Sequence, residues 1–295
     1  MNRRQQGILT GMPFMANLAP RTFVDDIGRK IYLAKAPTRI ISTAPSVTEM
    51  LFAIGLNQEI VGVTQFCDYP PAARTKPKIG YSNPNIESIL ALKPDLVIAP
   101  RESLRIDMLG QLDRLKIPTF ILEAKIVEDI PSHIQTLGRM FDRSPAADRV
   151  ATGMRERIAE IRKRIQTLPR PRLLYVLNSQ PLISVGPGSF IHQLIELAGG
   201  TNVAAAAKSA YPRLNMEDVL KEDPQIILFP VGSSEGIPDE EQQVWRKWTT
   251  VSAVQHGRVL RISADLLNRP GPRIIDGLEV LARLLHPDVF AGGTP

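Results

Sequence analysis

The feature of this sequence that most constrains its fold is a stretch at residues 81–100 that occurs again at residues 211–230. Apolar residues exchange for other apolar residues between the two stretches, and the predicted local structure is the same in both. The identical residues are Tyr81 and Tyr211, Asn85 and Asn215, Glu87 and Glu217, Leu90 and Leu220, Pro94 and Pro224, and Pro100 and Pro230. We therefore interpret the two stretches as copies of one structural unit.

Each copy predicts a short helix followed by a buried strand. Asn85 and Asn215 suit the N-cap position, because a short side-chain acceptor satisfies free amides of the first helical turn. Glu87 and Glu217 then fall in that turn, where the helix dipole favours a negative charge. A proline seven residues after each glutamate ends the helix before an all-apolar run. Such a run is typical of a buried parallel strand.

Outside the copies, strands alternate with helices, which predicts an α/β fold with mostly parallel sheets. The strands are predicted at 39–42, 60–63, 119–122, 172–177, 182–185 and 259–262, after an initial β-hairpin at 21–38. The helices are predicted at 45–55, 103–115, 126–141, 190–197, 244–248 and 274–285, with a polar insertion at 232–243 and a loop at 265–272. Ser46 and Glu49 are interpreted as a capping box at the first helix.

Residues 145–167 interrupt this alternation with one long amphipathic pattern and no strand. A helix of that length spans about 30 Å. It could cross over one sheet or connect two lobes rigidly, and its position between the two copies favours the connection. The expected division is a leader or disordered N-terminus at 1–20, an N-terminal α/β lobe at 21–143, a connecting backbone helix at 144–168 and a C-terminal α/β lobe at 169–295.

Composition argues against two other classes of protein. The net charge is +6, but the basic residues are scattered and aromatic residues make up only 5%, so nucleic-acid binding is not expected. No stretch approaches the roughly 20 apolar residues of a membrane span. Cys67 is the only cysteine, so no intrachain disulfide forms. Residues 1–20 do not make a convincing signal peptide, because they lack a continuous apolar region.

Motifs of catalysis are missing from the sequence. It has no P-loop, no dinucleotide fingerprint and no nucleophile elbow. Its four histidines stand singly, without the spacing of metal ligands. Joint catalysis by Glu87 and Glu217 is not expected either, because they begin helices of separate lobes. We therefore expect no enzyme activity, no covalently bound cofactor and no metal site.

Three groups of residues carry a resemblance to a known family. They are the run from Asn85 to Asp95 with its partner around Glu217, the loop Cys67, Asp68, Tyr69 and Pro70, and the set Asp265, Arg269, Pro272 and Arg273. With them the sequence resembles the periplasmic binding proteins with a long helical backbone that feed ABC importers of vitamin B12, haem and ferric siderophores. The resemblance covers residues 39–286 and is strongest to the cobalamin-binding branch.

The resemblance implies two similar α/β lobes joined by a single backbone helix, as in class III periplasmic binding proteins. It implies a monomer outside the cytoplasm, in the periplasm, that binds a small molecule between its lobes and delivers it to an ABC permease. Glu87 and Glu217 match the glutamates that dock onto permease arginines in that family. The alternative is that each glutamate only stabilises its helix start, by under about 1 kcal/mol.

The resemblance also implies the ligand-binding residues. Tyr69, Tyr81 and Tyr211 match the aromatic side chains that line the cleft, although Tyr81 and Tyr211 replace tryptophans of the best-known member. Asp265 matches an aspartate that contacts corrin amides, and we group Arg269 with it. Each tyrosine alone could instead anchor its loop. Together they favour a cleft that holds cobalamin.

Three alternatives stay open at this point. If the ligand is haem, Tyr81 is expected to be its axial iron ligand, as in haem-binding relatives. If the ligand is a ferric siderophore, Arg101, Arg105 and Arg269 are the candidate anion contacts. A cytosolic α/β enzyme or sensor would suit the unconvincing signal peptide, but it leaves the paired glutamates unexplained.

Overall fold

The computed structural model describes residues 20–80, 84–232, 237 and 243–290. Tyr81 lies outside the described residues, as do residues 1–19 of the expected leader and much of the predicted insertion at 232–243. Within the described ranges, no helix combines the length and the apolar character that crossing a membrane requires.

The first half of the chain forms a four-stranded sheet in which every neighbouring pair of strands is parallel, in the order β4-β3-β5-β6. An antiparallel hairpin, β1 and β2, precedes it, as predicted. The elements are β1 Arg21–Val24, β2 Lys30–Leu33, β3 Ile40–Ser42, α1 Pro45–Ala53, β4 Ile60–Val63, α2 Ile86–Ala91, β5 Leu96–Pro100, α3 Ile106–Arg114, β6 Thr119–Leu122 and α4 Asp129–Met140.

The second half repeats this architecture with a parallel sheet in the order β10-β7-β11-β12. The strand of each duplicated stretch, β5 or β11, occupies an inner position of its sheet. The elements are β7 Arg172–Tyr175, β8 Asn178–Ser179, β9 Leu182–Ile183, α6 Phe190–Leu197, β10 Thr201–Asn202, α7 Met216–Glu222, β11 Ile226–Val231, α8 Ser252–Gln255, β12 Val259–Ser263, α9 Ala264–Leu267, α10 Ile274–Leu285 and α11 Pro287–Phe290.

In this half one predicted strand is shorter than expected and one predicted loop is wrong. The strand predicted at 182–185 forms over Leu182–Ile183 as β9, which pairs antiparallel with β8 in a small hairpin. The loop predicted at 265–272 begins inside α9, whose Ala264 and Leu267 are buried. Leu267 packs into the main hydrophobic core, and the apolar pattern of each segment is too short to distinguish a strand, a helix and a loop.

A single helix, α5 Ser144–Ile165, lies between the two halves. One face of it is buried, and it packs against α4 of the first half and α10 of the second. Arg157 on this helix binds Asp276 at 2.6 Å and Glu279 at 2.8 Å on α10. The predicted architecture of two similar α/β lobes joined by one long helix is therefore confirmed, while the domain boundaries stay a prediction.

Candidate functional site

The candidate site lies where the carboxyl ends of the parallel strands meet the loops that follow them. In open α/β sheets, ligands bind outside this edge. The loop after β4 carries Asp68 and Tyr69, and the segment after β12 carries Asp265 and Arg269. The topology thus places the predicted binding residues of the two lobes at corresponding edges of their sheets.

An arginine bridge joins these two edges. The Arg269 guanidinium donates to Asp68 of the first lobe at 2.7 Å and lies 2.8 Å from Asp265 of its own lobe. Its side chain is only 11% exposed, so the contacts are partly shielded from solvent. The structure therefore brings together Asp265, Arg269 and the loop that carries Tyr69.

A second arginine joins the same surfaces. Arg273 donates through Nη2 to Glu49 Oε1 at 2.6 Å and through Nε to Glu49 Oε2 at 3.0 Å. Its guanidinium carbon also lies 4.0 Å from the centroid of the Tyr69 ring, which is a cation–π contact. Tyr69 is thus held against the second lobe although its own side chain is half exposed.

The capping box predicted for Ser46 and Glu49 is wrong. The helix α1 begins at Pro45 and has Ala44 as its N-cap, without a side-chain cap. Proline is favoured in the first turn, because its missing amide would have no partner there. The Glu49 carboxylate therefore lies inside the helix and pairs with Arg273 instead of the helix start.

The buried position of Glu49 changes its acid–base behaviour. The carboxyl side chain is 2% exposed, and burial raises its pKa above the ordinary value of 4.5. The hydrogen bonds and charge of Arg273 counter this shift, because they favour the ionised carboxylate. In turn, the hydrogen bonds that Arg273 donates to Glu49 raise the pKa of Arg273. The pair is a polar contact between the lobes with little access to water.

Two cavities border these arginine contacts. One, of about 120 Å³, lies between residues of the first lobe, such as Phe66 and Pro100, and Asn268 and Arg269 of the second. The other, of about 510 Å³, is lined by Tyr69, Phe52, Met154, Pro272 and Arg273 with further residues of α1 and α5. Aromatic and apolar walls with a few fixed charges are what small-molecule sites commonly offer.

Tyr211 is not part of this arrangement. The Tyr211 side chain is 58% exposed. The chain around it is held by hydrogen bonds from the amides of Ser184 and Gly186 to the carbonyls of Pro212 and Ala210. It therefore lies just before α7, on the side of the β8–β9 hairpin. Tyr81, its counterpart in the first copy, lies outside the described residues.

The two helix starts of the duplicated stretch form as predicted. Asn85 accepts a hydrogen bond from the Ser88 amide at 2.8 Å, and Asn215 accepts one from the Asp218 amide at 2.9 Å. Glu87 and Glu217 lie in the first turns and are exposed. Because α2 and α7 each lead into a parallel strand, their first turns lie at the carboxyl edges of the sheets. Both glutamates are therefore exposed to solvent at the sheet edges where the candidate site lies.

Sequence reasoning missed Glu49 as a functional candidate. The available signal was a carboxylate surrounded by the apolar residues Val47, Met50 and Leu51, since a charged group is rarely buried without a partner. Arg157 was also missed, because its two carboxylate partners follow it by more than 100 residues.

Comparison with known proteins adds three matches. The family model described as periplasmic binding protein matches residues 40–266. The vitamin B12-binding protein of Vibrio cholerae is 33% identical over 255 residues, which cover 84% of this chain and 88% of that protein. The crystal structure of the periplasmic vitamin B12 binding protein BtuF of Vibrio cholerae is 31% identical with a TM-score of 0.75, covering 85% of this chain and 97% of that chain.

Two further relatives widen the comparison. An ABC transporter substrate-binding lipoprotein of Bacillus subtilis, YvrC, is 28% identical over 278 residues, covering 92% of this chain and 87% of that protein. A periplasmic heme-binding protein of Pseudomonas aeruginosa is 25% identical with a TM-score of 0.74, covering 85% of this chain and 94% of that chain. Both of these relatives are named as binding proteins.

Proposed function

The chain belongs to the periplasmic binding protein family, and we propose that it is the solute-binding component of an ABC importer for cobalamin. The observation that carries the ligand assignment is the similarity to the vitamin B12-binding protein of Vibrio cholerae, at 33% identity over 84% of the chain. The likeness extends to the fold, with a TM-score of 0.75 to the solved structure. In this proposal the chain captures cobalamin between its lobes and delivers it to the permease.

The cluster around Arg269 suits the chemistry of a corrin. Cobalamin presents a broad flat ring with amide groups around its rim. The Asp265 carboxylate can accept hydrogen bonds from amide nitrogens, and the Arg269 guanidinium can donate to amide oxygens. The Tyr69 ring offers an apolar face with a polar edge. Tyr81 and Tyr211 are proposed as the further aromatic contacts, one from each copy of the duplicated stretch.

Ligand entry would require the arginine bridge to rearrange. The cavity beside Arg269 is about 120 Å³, whereas sites for drug-sized ligands are typically about 300–1,000 Å³. We propose that the amide rim of cobalamin takes over the contacts that Arg269 makes with Asp68. The helix α5 packs on both lobes, so their separation is expected to be a small rocking motion.

Glu87 and Glu217 are proposed to dock onto arginines of the permease. An exposed carboxylate pairs with a guanidinium through two parallel, charge-assisted hydrogen bonds. The exposure of both glutamates, at equivalent positions of the two lobes, supports this role. The proposed protein is a monomer outside the cytoplasm, in the periplasm, with lobes at 21–143 and 169–295. In this proposal the protein acts by binding alone, without catalysis and without a covalently bound cofactor.

The proposal is tested by titration calorimetry with cyanocobalamin. We expect saturable one-to-one binding, weakened about tenfold or more by Arg269→Ala, since hydrogen bonds to charged groups contribute about 1.5–3 kcal/mol. Asp265→Ala and Tyr69→Ala should also weaken binding. Tyr32→Ala is the matched control for Tyr69→Ala, because Tyr32 lies exposed on β2, outside the site. Absence of cyanocobalamin binding by the wild-type chain would overturn the proposal.

Haem is the second candidate ligand. The structural likeness to a heme-binding protein of Pseudomonas aeruginosa supports it. By the family resemblance, Tyr81 would then be the axial iron ligand, a role that tyrosine can take. Titration with haemin distinguishes the two candidates. A shifted Soret band that is lost in Tyr81→Phe, without cyanocobalamin binding, would assign haem.

A ferric siderophore has weaker support. Two of the three arginines proposed as its anion contacts are paired with exposed or partly exposed carboxylates of the first lobe, Arg101 with Glu123 and Arg105 with Asp107. The third, Arg269, already pairs with Asp68 and Asp265. An anionic ligand would have to displace a carboxylate at each of these positions.

A further inference from the structure

An exposed leucine accompanies each of the two docking glutamates. Leu90 follows Glu87 by three residues and Leu220 follows Glu217 by three residues. Leu90 is 39% exposed and Leu220 is 42% exposed, whereas their helix neighbours Ile89 and Val219 are buried in the lobes. The same apolar side chain thus meets solvent at the same position in both copies.

Helix geometry places the leucine and the glutamate of each copy side by side. Residues three apart on an α-helix are surface neighbours, with about 5–6 Å between their Cβ atoms. Glu87 and Leu90 are therefore adjacent on α2, and Glu217 and Leu220 are adjacent on α7. Each lobe presents a small surface with one negative charge and one apolar side chain.

In the second lobe the apolar surface continues beyond the helix. An open cavity of about 280 Å³ lies directly beside the start of α7 and is lined by Asn215 and Met216. Its other walls combine the apolar Leu182, Leu214, Val244, Trp245 and Trp248 with the polar Ser179, Gln180 and Lys247. A cavity of this kind can receive an apolar side chain of a partner next to the Glu217 carboxylate.

We propose that each docking contact has two parts, a glutamate that pairs with a basic residue of the permease and a leucine that packs on an apolar residue beside it. In the second lobe, the cavity next to Met216 extends the apolar part of the contact. The inference rests on the proposed function, because it takes the ABC permease as the partner. Charge complementarity selects the occupant: a basic side chain next to an apolar one, on an extracytoplasmic loop of the permease.

The two parts respond differently to salt. Interactions between exposed charges weaken as ionic strength rises, because the Debye length falls from about 10 Å at 0.1 M to about 3 Å at 1 M. Burial of apolar area is non-directional and does not depend on charge screening. The glutamates should therefore supply the salt-sensitive part of the affinity for the permease, and the leucines the part that persists.

The test measures binding to the ABC permease of the cobalamin importer from the same organism, held in lipid nanodiscs, between about 50 mM and about 1 M salt. We expect Leu90→Ala with Leu220→Ala to weaken binding on the order of tenfold at every salt concentration, from the buried area lost at two leucines. Glu87→Gln with Glu217→Gln should weaken binding mainly at low salt and flatten its salt dependence. Val244→Asn, in the cavity next to Met216, should give a smaller loss of affinity at every salt concentration.

Leu115→Ala is the matched control. Leu115 is also a half-exposed leucine of the first lobe, but it follows the end of α3, at the opposite edge of the sheet. We expect it to bind the permease like the wild type. Cyanocobalamin binding and thermal unfolding of every variant verify that the fold is intact.

Two results would overturn the inference and are distinguishable from each other. Equal binding by the wild type and the double leucine variant at all salt concentrations would remove the leucines from the contact and leave the proposed function standing. Failure of the wild type itself to bind the permease would reject the proposed function, and this inference with it.

Discussion

The two copies of the duplicated stretch are fastened in their lobes by the same set of contacts. In the first lobe Arg39 donates to the carbonyls of Leu92 and Lys93 at the end of α2, at 2.6–3.2 Å. In the second lobe Arg172 donates to the carbonyls of Glu222 and Asp223 at the end of α7, at 2.8–3.1 Å. Both arginines directly precede or begin a central strand. The structural unit is therefore larger than the sequence match.

The residues next to these arginines are equivalent as well. Lys93 and Asp223 both adopt left-handed backbone conformations, with φ of 47° and 41°. Such a residue commonly ends a helix, although glycine is the usual choice. Asp95 accepts a hydrogen bond from the Arg39 amide at 2.9 Å, and Gln225 accepts one from the Arg172 amide at 3.0 Å. Chain reversal between helix and strand is thus achieved in the same way twice.

The copies differ in how firmly each helix is held. The Asp218 carboxylate accepts a hydrogen bond from the Asn215 amide at 2.9 Å, which completes a capping box on α7. Ser88 is the residue at this position in α2. In addition, the Asp223 carboxylate accepts hydrogen bonds from the amide and hydroxyl of Ser252, and these lower its pKa. The same local structure is therefore compatible with different surroundings, and the second copy is more tightly connected to its lobe.

The largest expected effect comes from the link between the lobes, outside both copies. We expect Arg273→Ala to lower the free energy of unfolding by about 3–5 kcal/mol, because it leaves the buried Glu49 carboxylate without its partner. Chemical denaturation measures this difference. Arg213→Ala, at an exposed arginine, is the control and should stay within about 0.5 kcal/mol of the wild type.

The same variant gives a pH test with a definite sign. Burial already raises the pKa of Glu49, and removing Arg273 takes away the groups that counter this shift. A carboxyl whose pKa is raised in the folded state contributes stability at pH values below its pKa in the unfolded state. This contribution is lost as the pH rises through its pKa in the folded state. The defect of Arg273→Ala should therefore be larger at about pH 8 than at about pH 5. A defect that is independent of pH would contradict the burial of an ionised Glu49.

An intermediate effect tests whether the two copies are equivalent. We expect Arg39→Ala and Arg172→Ala each to lower the free energy of unfolding by about 1.5–3 kcal/mol, because each removes charged hydrogen bonds to helix-end carbonyls. Lysine at either position should restore only part of the loss, since it lacks the planar fork of donors. Separate denaturation curves for the two variants measure this. A difference between them above about 1.5 kcal/mol would break the equivalence.

The smallest effect tests the difference between the copies. We expect Asn85→Ala to cost about 1 kcal/mol, the typical loss of an N-cap. Asn215→Ala should cost somewhat more, up to about 2 kcal/mol, because the capping box of α7 is lost with it. Hydrogen exchange at the Ser88 and Asp218 amides reports each helix start directly. Equal losses would show that the hydrogen bond from the Asn215 amide to Asp218 adds no stability.

Part of the fold could be read from single segments of the sequence. The helix α6 spans the predicted residues 190–197, α10 spans the predicted residues 274–285, and α5 lies within three residues of its expected bounds, 144–168. Ser189 and Asn215 begin helices through their own side chains. These elements follow from caps, prolines and apolar periods, all of which act over a few residues. Pattern reasoning succeeds where the deciding interaction is local.

The candidate site could be predicted from the sequence only in part. Asp265 and Arg269 are four residues apart, and their ion pair suits a helical turn, so the sequence could suggest it. Their contact with the loop of Tyr69 could not be inferred from spacing, because 201 residues separate Arg269 from Asp68. Here the resemblance to a family supplied what residue patterns alone did not.

By itself, the sequence determined two α/β halves with a long helix between them and a duplicated helix start that exposes a glutamate in each half. Only the tertiary structure decided the partner of Glu49, which sequence reasoning placed in a capping box and which instead pairs with Arg273, 224 residues later. A cap is selected by a few neighbouring amides. A buried carboxylate is paired with whatever cation the packed lobes bring to it, and that choice is made when the two halves meet around α5.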